Sequence, residues 1–482
     1  MSNQLNQIVS GTIEEINRDG LGIIKRPIGK PYLVSQTIIG EEVSALTYKR
    51  TKDGFLSELQ EVIKPSPHRI EPRCPMFGKC GGCKWQHIDR ELQLEMKKEL
   101  VEKELRGIGV DRHLFPEVPK TTNTDIKANN HPPIRIEKII SGPSDFFYRN
   151  RMDFMFGWRG ELGLKEAGKW WSTVDLPKCF LQSEESNEIL KRVGEWTKNS
   201  GLPFWDNKKQ TGFFRALVIR EGKNTDERLV MLVTAGVDAV GANGHSPLQQ
   251  SWQNEFVKLF ADGLATSVIH GICRRTTDLS IADEIIALKG EPWLNEEING
   301  LKYRIAPNSF FQTNSEMAAE LQNTVMEFVA PKPGQKIADL YCGAGFFSLA
   351  FARAGAEVIG VEMDEAGIEA AKINAELNKI SADFTAAKIE DYFKDKTLAA
   401  GFDTIVLDPP RAGLHPKVLE TLLEVLPPKI VYISCGYHNL AKEMPEFLKH
   451  YQVTRARALD LFPQTPHVEV VVELETKNIG KV

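Results

Sequence analysis

The chain has 482 residues, 42% hydrophobic and 26% charged, a balance that excludes a disordered or fibrous protein. At about 150 residues per domain that length predicts roughly three domains, and a net charge of -5 excludes a global basic field, so contact with nucleic acid needs a local patch. No apolar run reaches the roughly 18 residues that cross a bilayer and no cationic leader opens the chain, so no membrane role and a cytoplasmic location are expected.

Residues 4–64 carry short β-rich runs (IVSGTIEEI, GLGIIK, PYLVS, EEVSALTY, FLSELQEVI) broken by glycine and polar turns, which predicts a five-stranded barrel of the OB type. The proline-rich KPSPHRIEP reads as a linker. Next comes CPMFGKCGGC, in which Cys74, Cys80 and Cys83 have the spacing C-x5-C-x2-C. In a reducing compartment such spacing points to metal ligation before disulfides, with Cys179 in DLPKCFLQ the best fourth ligand. Zinc and an iron–sulfur cluster both remain open; structural zinc more often shows two C-x2-C pairs, and iron–sulfur sites accept less regular spacing, which favours the cluster.

The run IDRELQLEMKKELVEKELRGIG predicts a helix ending at glycine, and KTTNTDIKANNHPP predicts a surface insertion. From Phe147 to about Leu301, strands RMDFMFGW, ALVIREG, ERLVMLVTA and SVIHGICRR with helices at 183–198 and 248–263 predict an α+β region. Phe146, Phe147, Tyr148 and Arg149 are candidates for base stacking or phosphate contact, with core packing the competing role.

From Asn314 helix and strand alternate as in a doubly wound sheet. The turn DLYCGAG has Gly343 and Gly345 for close backbone approach, but Ser348 stands where a dinucleotide fingerprint has its third glycine, and Glu362 ends the next strand in reach of a ribose. This turn looks like the S-adenosylmethionine site of Rossmann-type methyltransferases. Asp408-Pro409-Pro410 ends the fourth strand, and Cys435 follows the strand KIVYIS at the end where such sheets bind ligands.

Together these features resemble the RNA uracil-C5 methyltransferases, most closely the 23S ribosomal RNA (uracil-C5)-methyltransferases with a TRAM barrel and a 4Fe-4S cluster. The resemblance runs through the barrel, the cysteine motif, YRNRMDF with GLKEAGKW and Cys179, then FFQTN, DLYCGAG, LDPPRAGL, ISC and FPQTPHVE. It implies a TRAM domain at 1–66, a central α+β domain with the iron–sulfur site at 67–300, and a Rossmann-like methyltransferase domain at 301–482. It further implies S-adenosylmethionine contacts from Gln312, Tyr341, Glu362 and Asp408, a nucleophile at Cys435, a base at Glu469, and cluster ligands Cys74, Cys80, Cys83 and Cys179. A monomer acting on RNA is expected, 23S ribosomal RNA before transfer RNA. Three positions depart from the family pattern: Phe346 replaces an asparagine, Lys388 a polar cofactor contact, and Gly436-Tyr437 an asparagine-proline.

Uracil C5 is a poor nucleophile, so thiolate addition to C6 is needed to give it carbanion character, and a base must then remove the C5 proton. Glu469 is expected to be ionised at neutral pH from a reference pKa of about 4.3. Two other classes compete: a radical-S-adenosylmethionine methylthiotransferase, which also joins a cluster to a TRAM barrel but has different cysteine spacing, and a non-catalytic RNA-binding assembly factor.

Overall fold

The computed structural model describes residues 5–106, 134–236, 247–276 and 279–477. The KTTNTDIKANNHPP insertion lies outside them.

The first strands are β1 (Ile8–Thr12), β2 (Glu15–Ile16), β3 (Gly22–Ile24), β4 (Tyr32–Val34), β5 (Glu42–Arg50) and β6 (Phe55–Lys64). They form one curled sheet, ordered β1-β5-β6-β4-β3-β2. The count is six and not five because the two-residue β2 pairs with β3. Three register shifts between β5 and β6 supply the curl.

Helix α1 (Arg90–Arg106) follows, then β7 (Ile139–Ser141). The central sheet takes β8 (Arg151–Phe156), β9 (Leu162–Glu166) and β10 (Lys169–Asp175), then, after α2 (Glu184–Asn199), β11 (Phe214–Glu221) and β12 (Arg228–Ala235), and, after α3 (Pro247–Lys258), β13 (Ser267–Cys273) and β14 (Glu284–Lys289). Its order is β10-β9-β8-β11-β12-β13-β14. The hairpin β15 (Leu294–Ile298) and β16 (Leu301–Ile305) turns on Asn299 and Gly300, both at positive φ (48° and 72°), as a two-residue hairpin turn requires.

The last part holds α4 (Ser315–Val329), β17 (Lys336–Leu340), α5 (Ser348–Arg353), β18 (Glu357–Glu362), α6 (Glu365–Asn378), β19 (Asp383–Ala386), α7 (Ile389–Tyr392), α8 (Lys396–Ala400), β20 (Thr404–Leu407), α9 (Pro416–Val425), β21 (Lys429–Ser434), α10 (Tyr437–Phe447), β22 (Tyr451–Asp460) and β23 (Glu469–Thr476). The strand order is β19-β18-β17-β20-β21-β23-β22-β7. The first five strands are parallel and β23 is antiparallel. The chain runs outward from β17 to β19 and returns to β20, so the switch point lies between β17 and β20.

Alternation along each strand buries both faces. Leu340, Leu407 and Tyr432 join a core with α1, α9, α10 and the N-terminal sheet, and Ile337, Val406 and Val431 join one with α4, α5 and the central sheet. Each such side chain contributes about 1.5–3 kcal/mol of burial. The strands therefore read as unbroken apolar runs. Among the described residues no helix is long and apolar enough to cross a membrane.

Candidate active site and cysteine cavity

The switch point puts Tyr341 and Asp408 side by side, one residue beyond β17 and β20. Tyr341 has φ +67°, costly for a side chain of that size, and is held there because its N–H donates to the Val361 carbonyl at 2.8 Å. Glu362 is clamped from both sides: the Gly343 N–H donates to Oε2 at 3.3 Å and the Asp364 N–H to Oε1 at 3.0 Å. Gln312 is buried just before α4.

Burial pushes the carboxyl of Asp408 up to about 7, and the nearby Asp339 adds to this. Asp339 is itself fully buried and also pushed up to about 7; Ser348 Oγ donates to its Oδ2 at 2.5 Å, and its Oδ1 has no partner. Ser348, where a third glycine was lacking, thus anchors the turn to β17.

Antiparallel pairing of β21 with β23 sets Ser434 against Val470, and one further step of that register sets Cys435 opposite Glu469. The two groups sense each other. Burial, then the charges of Glu469 and Asp408, push the Cys435 thiol up to about 11, and a hydrogen bond and charge from Arg411 pull it down. Glu469 is 4% exposed, and burial with Asp408 beside it raises its pKa well above the ordinary value. Burial at the strand start thus works against the carboxylate form that the sequence reading expects.

Arg411 was not singled out in the sequence, although it lies inside LDPPRAGL. Its carbonyl accepts from Asn439 Nδ2 at 2.6 Å and would lie 3.1 Å from a Cβ placed at Gly436. Glycine at 436 thus leaves room for the Arg411 backbone beside Cys435. Phe346, the departure from asparagine, is buried against Tyr303 and Phe311, with its carbonyl accepting from Gln322 Nε2 at 2.7 Å. It packs the core under the turn. Lys388 is exposed.

Beside this site lies a cleft of about 170 Å³ lined by Lys84, Tyr148, Arg149, Arg411, Thr465 and His467 among others. Burial and the charges of Arg411, Lys84, Lys97 and Arg149 push His467 down to about 4, so the cleft is cationic despite the acidic chain. It is a local patch of the kind a phosphate backbone requires. Of the four aromatic and basic candidates, Tyr148 and Arg149 reach the cleft; Phe146 and Phe147 instead carry the Arg73 guanidinium at 5.1 and 4.9 Å.

Cys74, Cys80, Cys83 and Cys179 line one further cavity with Gln86, Leu164 and Phe180. Gly81 N–H donates to the Lys165 carbonyl at 2.9 Å, which fastens the cysteine loop to the β9–β10 hairpin, and Asn187 Oδ1 accepts from the Cys179 N–H at 2.8 Å. Burial and mutual repulsion push Cys83 up to about 12 and Cys179 to about 11. Among the described residues no three His, Cys, Asp or Glu side chains converge as a single-ion site.

The family model for tRNA (uracil-5-)-methyltransferase matches residues 237–477. The chain is 33% identical over 464 residues (96% of this chain, 99% of the other) to the tRNA (uracil(54)-C(5))-methyltransferase of Pyrococcus horikoshii. It belongs to the RNA uracil-C5 methyltransferase family. The chain is also 33% identical to an uncharacterised RNA methyltransferase of Caldanaerobacter subterraneus subsp. tengcongensis, over 97% of this chain and 99% of the other. The crystal structure of the Pyrococcus abyssi tRNA (uracil-54, C5)-methyltransferase in complex with S-adenosyl-L-homocysteine superposes with a TM-score of 0.75 at 30% identity, covering 97% of this chain and 100% of that one. The likeness to that structure thus extends over nearly the whole of both chains.

Proposed function

We propose that this chain methylates C5 of a uridine in structured RNA, with Cys435 as nucleophile and Glu469 as base. The observation that carries the reading is the β21–β23 register that sets the two opposite each other beside Asp408 and the switch point. Tyr341 and Asp408 stand at that point and Glu362 ends the neighbouring strand β18; with Gln312 they would hold the cofactor. Bound S-adenosylmethionine supplies an electrophilic methyl group. The Cys435 thiolate adds to uracil C6, forming the S–C6 bond and sending the ring electron pair toward C5, which takes the methyl group as the donor's S–CH3 bond breaks and S-adenosyl-L-homocysteine leaves. Glu469 carboxylate then removes the C5 proton; the C–H pair rebuilds the C5–C6 double bond and the S–C6 bond breaks, freeing the thiolate. Arg411 favours the thiolate that the first step needs and the carboxylate that the last step needs. The cationic cleft takes the target nucleotide out of its stack.

The four-cysteine cavity fits a 4Fe-4S cluster. Four cysteines line this one cavity, as a shared cationic centre requires, and among the described residues no three of them converge as one zinc ion demands. Fully ligated by cysteine, such a cluster is structural.

Relatives with 33% and 35% identity over 96% of the chain are named for uracil 54 of tRNA, so we place tRNA first among substrates. 23S ribosomal RNA, favoured by the barrel-and-cluster resemblance, becomes the second pool of the same test. Nucleoside mass spectrometry on separated tRNA and 23S ribosomal RNA, from cells with and without the gene, should show 5-methyluridine lost from tRNA. Loss from 23S ribosomal RNA would reverse the substrate choice, and no loss from either would refute the activity.

A further inference from the structure

One face of α1 grips the segment that leads to Glu469. Arg90, Gln93 and Lys97 stand at i, i+3 and i+7 of that helix and so share a face. They meet Asp460, Phe462 and Gln464, alternate residues of the approach to β23. Arg90 Nη1 donates to Asp460 Oδ2 at 2.6 Å, and Lys97 donates to Asp460 and, at 3.1 Å, to the Phe462 carbonyl. Gln93 and Gln464 exchange hydrogen bonds: Gln93 Nε2 donates to Gln464 Oε1, and the Gln464 N–H donates to Gln93 Oε1, both at 3.1 Å.

Gln464 is 3% exposed and has φ +67°, a conformation strained for a residue with a Cβ. Its carbonyl accepts from the N–H groups of Lys84 and Trp85, at 2.9 and 3.0 Å, the two residues that follow Cys83. Such strain persists only where surrounding contacts over-determine it, and it clusters where geometry serves function. From Gln464 the chain has little slack before the base. Thr465 Oγ1 donates to the Phe462 carbonyl at 2.8 Å and accepts from the His467 N–H at 3.3 Å, Pro466 fixes φ, and Val468 is buried.

We propose that Gln93 and Gln464 are positioning residues that set Glu469 for removal of the C5 proton. The proposal rests on the assignment of Cys435 and Glu469 above. Because Glu469 acts only after the covalent bond to C6 exists, a displaced base slows release of the thiolate and not its addition. A general loss of structure would slow both.

The test uses the full-length protein, total RNA from cells lacking the gene, and methyl-labelled S-adenosylmethionine. Gln93→Ala keeps a strong helix former in α1, and Gln464→Gly relieves the positive φ, so the two fail independently if either disturbs folding; thermal melting checks each. The methylated protein–RNA complex should form within about twofold of the unsubstituted rate and resolve on the order of 10- to 100-fold more slowly, so that it accumulates as in Glu469→Gln. Formation and resolution slowed together, or resolution unchanged, would overturn the proposal. Absence of any complex and product from the unsubstituted enzyme would instead overturn the assignment of Cys435, and the proposal with it.

Discussion

Lys97 and Asp460 form an ion pair from which solvent is wholly excluded, joining α1 to the end of β22 across more than 360 residues of sequence. Arg90 also pairs with Asp460, so it is removal of Asp460 that leaves the buried Lys97 charge without its carboxylate. Asp460→Leu should lower stability by about 3–5 kcal/mol in urea unfolding, and adding Lys97→Met should recover much of that loss. A single variant as stable as the parent would show the pair to be unimportant.

The environment of Cys435 predicts its reactivity. With the thiol pushed up to about 11, its alkylation by iodoacetamide in the ligand-free protein should rise about tenfold per pH unit between roughly pH 7 and 10. Arg411 pulls the thiol pKa down, so Arg411→Ala should slow alkylation; Glu469 pushes it up, so Glu469→Gln should speed it. Mass spectrometry of the Cys435 peptide measures both, and opposite signs would break the assigned cluster.

Asp339 predicts a pH dependence of stability. Its folded-state pKa is raised from 3.8 to about 7, so between those values the folded chain holds a proton that the unfolded chain has released. Stability therefore falls as pH rises through that window. Asp339→Asn should flatten the melting curve against pH, with Asp408 left to titrate, and gain relative to the parent from pH 4.5 to pH 8 by a few kcal/mol at most, since one pKa unit is about 1.4 kcal/mol. A relative loss that grows with pH would contradict the burial argument.

The order of modules was legible because it rests on local signals: alternation of helix and strand after Asn314, glycines at 343 and 345, and the crowding of Cys74, Cys80 and Cys83. Local signals could not show that β7, which precedes the central sheet, closes the edge of the last one by pairing Ile139 with Ala458. They also could not show that β23 is buried on both faces where it starts, and hence that burial would raise the pKa of Glu469. Arg411 was missed because an exposed arginine in a loop carries no periodic or spacing signal; only the fold brings it to Cys435. The grip of α1 on residues 460–464 is likewise a product of tertiary packing.

Cluster occupancy can be read by eye. If the proposed cluster is bound, protein purified without oxygen should be brown, with broad absorbance near about 400 nm, and Cys179→Ser should lose that absorbance, because Cys179 is the proposed ligand farthest in sequence. Colourless protein containing zinc would favour the single-ion alternative.

Covalent catalysis by Cys435 on uracil is tested most directly with 5-fluorouridine, since fluorine at C5 cannot leave as a proton and the S–C6 bond is trapped. Incubation with fluorinated tRNA and S-adenosylmethionine should give a protein–RNA adduct that survives denaturing electrophoresis and is absent from Cys435→Ala. No adduct with tRNA or 23S ribosomal RNA, or an adduct that persists in Cys435→Ala, would contradict it.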